Sequence, residues 1–454
     1  MMRPLLYSLT SSLHGEMAPD PRQEPFIREI EAALGAAFDC RGDDFAGFGS
    51  SSSIGAPSSS AGVTGGSPAP AILYIRTGGT EGLFLQKVAP HLTGREPVRL
   101  LASGQSNSLA ASMEILSWLR QRGIAGEILH GSPAAIAARI RAFAVPGGQD
   151  NGVPGAEKAV FAPGKPKNGV PGAEEADFAP GSSAFGGRVL EGKHFGVIGR
   201  PSDWLISSGV DYAVVREALG AELIDIPIEE LIAEAQDPGH KKTPISWPAT
   251  GLKPLNAPKY GRKIDQEDWD GALAIYDALQ ALVARYRLDG LTLRCFDLLT
   301  ALHNTGCLAL ARLNAEGVTA TCEGDIPAML SMAVARALTG RSSFQVNLSR
   351  IEGDRLLFAH CTVPLDIVDD YCYDTHFESG IGVAIHGVLP EGPVTLFKLS
   401  PDCRRMYRRE AKLVANPYGD NLCRTQVVVE APGAAAYFLQ EPIGNHHIII
   451  PGKL

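Results

Sequence analysis

At 454 residues the chain is too long for one ordinary core, so two or three domains are expected. Its composition is that of a globular protein, with 45% hydrophobic and 20% charged residues. A net charge of −9 without a basic run argues against nucleic acid or an anionic membrane as partner, and no apolar stretch approaches the ~18 residues of a membrane helix.

The N-terminal "MMRPLLYSLTSSLHGEM" suits a strand (4–11) better than a signal segment, and a helix is predicted near 25–37. The uncharged Ser, Gly, Ala and Pro of 47–70 cannot bury enough surface to offset their ordering entropy. Strands are predicted at 71–76, 98–103 and 126–131, with helices running to about His91, over 108–121 and over 132–143. A tandem duplication follows, "NGVPGAEKAVFAPG" (151–164) and "NGVPGAEEADFAPG" (168–181). Two turn-rich copies are too few for a solenoid, so this is expected to be a flexible insertion, its repeated Phe being a conceivable docking motif.

A second strand–helix series begins at "HFGVIG" (194–199) and continues through "AELIDI", "GLTLRCF" and "GVTATCEG" to the helix of "DIPAML…ALTG". From Ser342 short strands follow one another with hardly any helix between them. The fold class expected is α/β, with two doubly wound, Rossmann-like parallel-sheet domains and a mainly antiparallel β C-terminal domain. The boundaries fall at 1–187 (insertions at 47–70 and 146–187), 188–341 and 342–454. With no helix after "NHHIIIPG", the last strand is expected to be poorly covered. The eight cysteines form no CxxC pair and several sit in apolar runs, which makes buried thiols in a reducing cytoplasm the default.

For chemistry, "TCEGDIPAML" places Glu323 just beyond a strand end, where α/β sheets bind ligands. Asp325 has a sufficient explanation as helix N-cap, with Pro327 in the first turn. His360 ends an apolar strand, and a core histidine satisfied by backbone is the ordinary reading there. His376 and Glu378 in "THFESG" share a face if extended, although a solvated loop explains them as well. Glu323, His360 and His447 would suit Mn²⁺, Zn²⁺ or Fe²⁺, but spacing alone does not bring them together. The turns "TGGTEG" and "SGQSNS" suit anions or sugar hydroxyls without matching a nucleotide motif.

From "CEGDIPAML…LTG" onward, together with "RTGGTEGLF", "GRPSDWLISS", "THFESGIGV" and the final "GNHH", the sequence resembles the L-fucose isomerase family and, more distantly, L-arabinose isomerases. That resemblance implies aldose–ketose isomerisation of a small sugar with a divalent metal, Mn²⁺ first, by a cytoplasmic homo-oligomer (trimer or hexamer). It implies Glu323 and His447 as metal ligands, with His446 facing elsewhere, and His360 by analogy with the arabinose isomerases. Asp325, His376 and Glu378 are expected to meet substrate. The family's metal-binding, catalytic Asp falls on Asn347, which cannot act as a base, so at the catalytic positions Glu323 and Asn347 the base is expected from Glu323, or else from His376 or Glu378. The alternative is therefore a non-catalytic or altered-chemistry sugar-binding member.

Overall fold

The computed structural model describes residues 3–11, 20–42, 45, 48, 70–144, 188–237 and 264–454. The expected insertion at 146–187, with its repeated Phe, lies outside these residues, as does that at 47–70 apart from Phe48 and Pro70.

The chain divides into two compact units. The first comprises the N-terminal part with Arg350–Glu352 and Ala434–Gly444; the second comprises the rest up to Ser349, Gly353–Gly433 and Asn445–Leu454. In the first unit, β1 (Leu5–Leu9), β2 (Asp39–Gly42), β3 (Ala71–Ile75), β4 (Val98–Ala102) and β5 (Gly126–Leu129) make a parallel sheet of order β2-β1-β3-β4-β5. β1 and β3 are almost continuous apolar runs, as strands covered on both faces are. Helix α1 (Pro25–Leu34) opens on Pro25 and ends at Gly35 in the left-handed region. The helical stretch from α2 (Glu81–Leu83) to His91 widens into a π turn and then tightens into a 3₁₀ turn. α3 (Ser108–Gln121) and α4 (Pro133–Ala144) complete the alternation. Ile27 and Ile30 of α1 and Ile136 and Ile140 of α4 pack on Leu6, Ile72 and Leu101 of the sheet. β2 was not anticipated, because "DCRG" is polar and half-exposed.

The second unit starts with β6 (His194–Ile198), α5 (Tyr212–Leu219), β7 (Glu222–Ile226), α6 (Ile228–Gln236), α7 (Gln266–Tyr286), β8 (Gly290–Leu293), α8 (Asp297–Ala301), α9 (Cys307–Ala315), β9 (Thr319–Cys322) and α10 (Ile326–Thr339). Its parallel sheet has the order β7-β6-β8-β9. Six antiparallel strands then close a barrel in the order β10-β11-β16-β15-β14-β17. They are β10 (Phe344–Glu352), β11 (Arg355–His360), β14 (Gly392–Leu399), β15 (Met406–Ala415), β16 (Thr425–Glu430) and β17 (His447–Pro451). A ribbon of β12 (Asp370–Asp374) and β13 (Ala384–Val388) stands apart, and α11 (Ala435–Gln440) returns to the first unit.

The chain is thus mixed α/β, with two parallel-sheet cores and a mainly antiparallel C-terminal part. The second sheet and the barrel share one compact unit, and α10 is the reason. Ten of its fourteen residues are buried, as expected of a helix apolar all round. Met329 and Ala333 of α10 join Phe195 and Val197 of β6, Phe397 and Leu399 of β14, and Ile448 and Ile450 of β17 in one cluster. The expectation of a poorly covered last strand was wrong. β17 pairs with both β10 and β14, and its Ile448 and Ile450 pack against α10, so barrel closure fills its edges and an earlier helix covers one face.

Candidate metal centre

In the second sheet the strand order reverses between β6 and β8, the kind of crevice where open α/β sheets take ligands beyond their carboxyl ends. The segment after β6 carries Trp204, that after β8 carries Phe296, and that after β9 carries Glu323. Glu323 and Gly324 both adopt left-handed backbone, φ 65° and 69°. The turn is held by two hydrogen bonds: Gly324 N–H donates to the Leu293 carbonyl (2.9 Å), and Ser202 N–H donates to the Glu323 carbonyl (3.0 Å). A Cβ on Gly324 would stand 2.4 Å from the Arg200 carbonyl oxygen, so only glycine fits. Left-handed backbone costs a glutamate about 1–2 kcal/mol, and such strain concentrates at functional sites.

Glu323, His360 and His446 each offer a ligand atom, all within 4.8 Å of one another. The other polar atom of each is held from outside. Trp204 Nε1–H donates to Glu323 Oε2 (2.6 Å), and His360 Nδ1 hydrogen-bonds Thr362 Oγ1 (2.9 Å). His446 Nδ1–H donates to Asp325 Oδ2 (2.8 Å). His446 Nε2 is buried and 3.4 Å from Glu323 Oε1, yet has no hydrogen-bond partner among the described residues. Outer-shell bonds of this kind fix the tautomer and orientation of metal ligands. One carboxylate with two imidazoles suits a divalent transition metal, so the residues fit such an ion.

Burial opposes charge on His446, but Glu323 and Asp325 on either side outweigh it and hold the imidazole up at about 10. Burial would raise Glu323, yet the His446 charge and the Trp204 hydrogen bond leave it below the usual range. Asp325 falls to about 2, because Lys398 and His446 overcome its burial. His360 is pushed down to about 4 by burial, aided by the His446 charge. A cation at this site requires His446 to give up its Nε2 proton while Asp325 keeps Nδ1–H in place.

Of the ligands expected, Glu323 and His360 meet; His447 does not join them, and His446 takes its place. β17 pairs with β10 so that Val346 lies opposite His447 and Gln345 opposite Ile448. Gln345 Oε1 accepts from Cys322 N–H (2.8 Å), so its face of β10 is turned toward the end of β9. By alternation His446 shares that face and His447 takes the other. There His447 packs edge-on against Tyr407 (5.8 Å), donates Nδ1–H to the Asn445 carbonyl, and is held down at about 3 by burial and the Lys398 charge.

Continuing the same register puts Asn347 opposite His446, and its buried Oδ1 has no partner among the described residues. Asp325, expected to meet substrate, has two partners within the chain. It is wholly buried, caps α10 through Ala328 N–H (2.7 Å) and holds His446. His376 and Glu378 do not share an extended face either, because 377–379 form a turn. His376 is buried with its ring against Phe296 (5.6 Å) and Nδ1 3.0 Å from Ser379 Oγ, while Glu378 is half-buried in that turn. Trp204, Thr362 and Lys398 carried no signal of their own in the sequence, although Trp204 lies within "GRPSDWLISS". No protein-family model matches the chain, and no curated protein matches it at a significant score.

Proposed function

We propose that the chain binds a divalent metal, Mn²⁺ first, through Glu323, His360 and His446, and uses it to interconvert an aldose and a ketose. The observation that carries this reading is the set of three converging donors, each oriented by a second residue behind it. The sugar assignment, the Rossmann-like character of the sheets and a cytoplasmic homo-oligomer rest on the resemblance to the L-fucose isomerases. A bound divalent ion would supply the positive charge that stabilises an enediolate.

The chain's own residues do the rest. Asp325 fixes the His446 tautomer, and the Trp204 indole orients the Glu323 carboxylate. Trp204, Phe296 and His376 stack edge to face in series, at 4.9 and 5.6 Å between ring centres, beside Glu323. Isomerisation moves a proton between neighbouring carbons, and an amide at Asn347 cannot carry it. Glu323, His376 and Glu378 are the residues left to carry it, and His376 stands in the aromatic series beside Glu323 with burial holding it below the usual histidine range. Asn347 also favours a second reading, a sugar-binding member with altered or no catalysis.

Metal analysis of protein purified without chelators, followed by proton–deuterium exchange at sugar C1 and C2 in D₂O, separates these readings. About one metal per chain with exchange on some aldose supports isomerisation. Metal and sugar binding without exchange supports the second reading, and no metal after Mn²⁺ titration overturns both.

A further inference from the structure

The ends of β8 and β9 press two cysteines together. Cys295 Sγ lies 2.7 Å from Cys322 Sγ. That is inside the ordinary ~3.5–4.0 Å contact of heavy atoms and above the ~2.05 Å of a disulfide. The backbone imposes the approach. Leu293 is the register partner of Cys322, and Cys295 N–H donates back to the Leu293 carbonyl (2.8 Å), folding the strand end over. The same carbonyl accepts Gly324 N–H (2.9 Å), so one oxygen clamps both cysteine-bearing turns.

Both thiols are free, and both are buried, at 5% and 4% exposure, in the core formed with Leu298, Leu310 and Ala320. The next residue, Glu323, keeps 13% of its side chain exposed, so the pair lies one residue from the solvent-reaching end of β9.

We propose that Cys295 and Cys322 form a modification site, a dithiol that a hydroperoxide converts reversibly to a disulfide. One sulfur attacks the peroxide O–O bond, giving a sulfenic acid and releasing water or an alcohol. The second sulfur attacks the sulfenic sulfur, forming S–S and expelling hydroxide, which takes up the second thiol proton as water. Each cysteine is oxidised by one electron and the peroxide is reduced by two. The bond ties the Glu323 turn to the end of β8, whatever reaction the neighbouring centre performs.

The test treats the full chain with millimolar hydrogen peroxide, then denatures, alkylates, digests and maps it by mass spectrometry. The expected product lacks two hydrogens, links Cys295 to Cys322, reverts with dithiothreitol, and is absent from Cys295→Ser. Half-buried Cys40 serves as the control for exposure to oxidant. The wild-type map decides alone if the variant does not fold. The proposal is overturned if both thiols stay alkylatable while Cys40 is oxidised, if either ends as a sulfinate without a link, or if the link runs to Cys307.

Discussion

Asp325→Asn separates two roles that one buried carboxylate performs. The amide oxygen keeps the cap on Ala328 N–H, so α10 retains its N-terminus. Lys398, fully buried with Nζ 3.8 Å from Asp325 Oδ2 and no hydrogen-bond partner among the described residues, loses its counter-charge. At an effective dielectric of about 20 that attraction is roughly 4 kcal/mol, in line with the ~3–5 kcal/mol cost of breaking a buried pair. The new NH₂ faces His446 Nδ1, which must become an acceptor and move its proton to Nε2, the atom needed for metal. Metal affinity is therefore expected to fall by about 10–100-fold or more. Urea unfolding without metal, and calorimetric titration with Mn²⁺ or Zn²⁺, read the two effects separately. Adding Lys398→Met should restore much of the stability and none of the affinity. Affinity within twofold of wild type, or stability within about 1 kcal/mol, would refute the reasoning.

Three further outcomes follow from the geometry. His446→Ala should abolish metal retention while His447→Ala keeps it, read by metal analysis of the purified variants; the reverse result would restore the sequence-based assignment. Gly324→Ala adds a Cβ 2.4 Å from the Arg200 carbonyl oxygen at φ 69°, and a loss of more than about 2 kcal/mol in urea unfolding is expected. In the first unit, His130 donates Nδ1–H to the Ala102 carbonyl and accepts from Ile351 N–H, and burial holds it down at about 4. Its folded pKa lies below the unfolded ~6.5, so its contribution is complete above pH 6.5 and is lost as pH falls toward 4. Wild type should lose roughly 2–3 kcal/mol more than His130→Gln over that window. Parallel losses would sink the assignment.

Local patterns determined most of the secondary structure. Continuous apolar runs marked β1, β3 and β8. Asp325-Ile-Pro and Thr339-Gly340 marked the two ends of α10, because caps act within one turn and are written in adjacent residues. β2, β12, β15 and α11 escaped notice. β15, "MYRREAKLVA", is paired on both sides inside a barrel, yet its charges hide the alternation.

Glu323 was legible because a strand end before a helix is a local feature, and His360 was legible as a polar residue closing an apolar strand. The histidine that completes the set was not. "NHH" offers one ring to each face, and only the register of β17 on β10, set by barrel closure, decides that His446 faces Glu323. The Cys295–Cys322 contact and the buried Lys398–Asp325 pair likewise join residues far apart in the chain. Pairings of that kind depend on how strands stack and close, which is a property of the whole fold and not of any window of sequence.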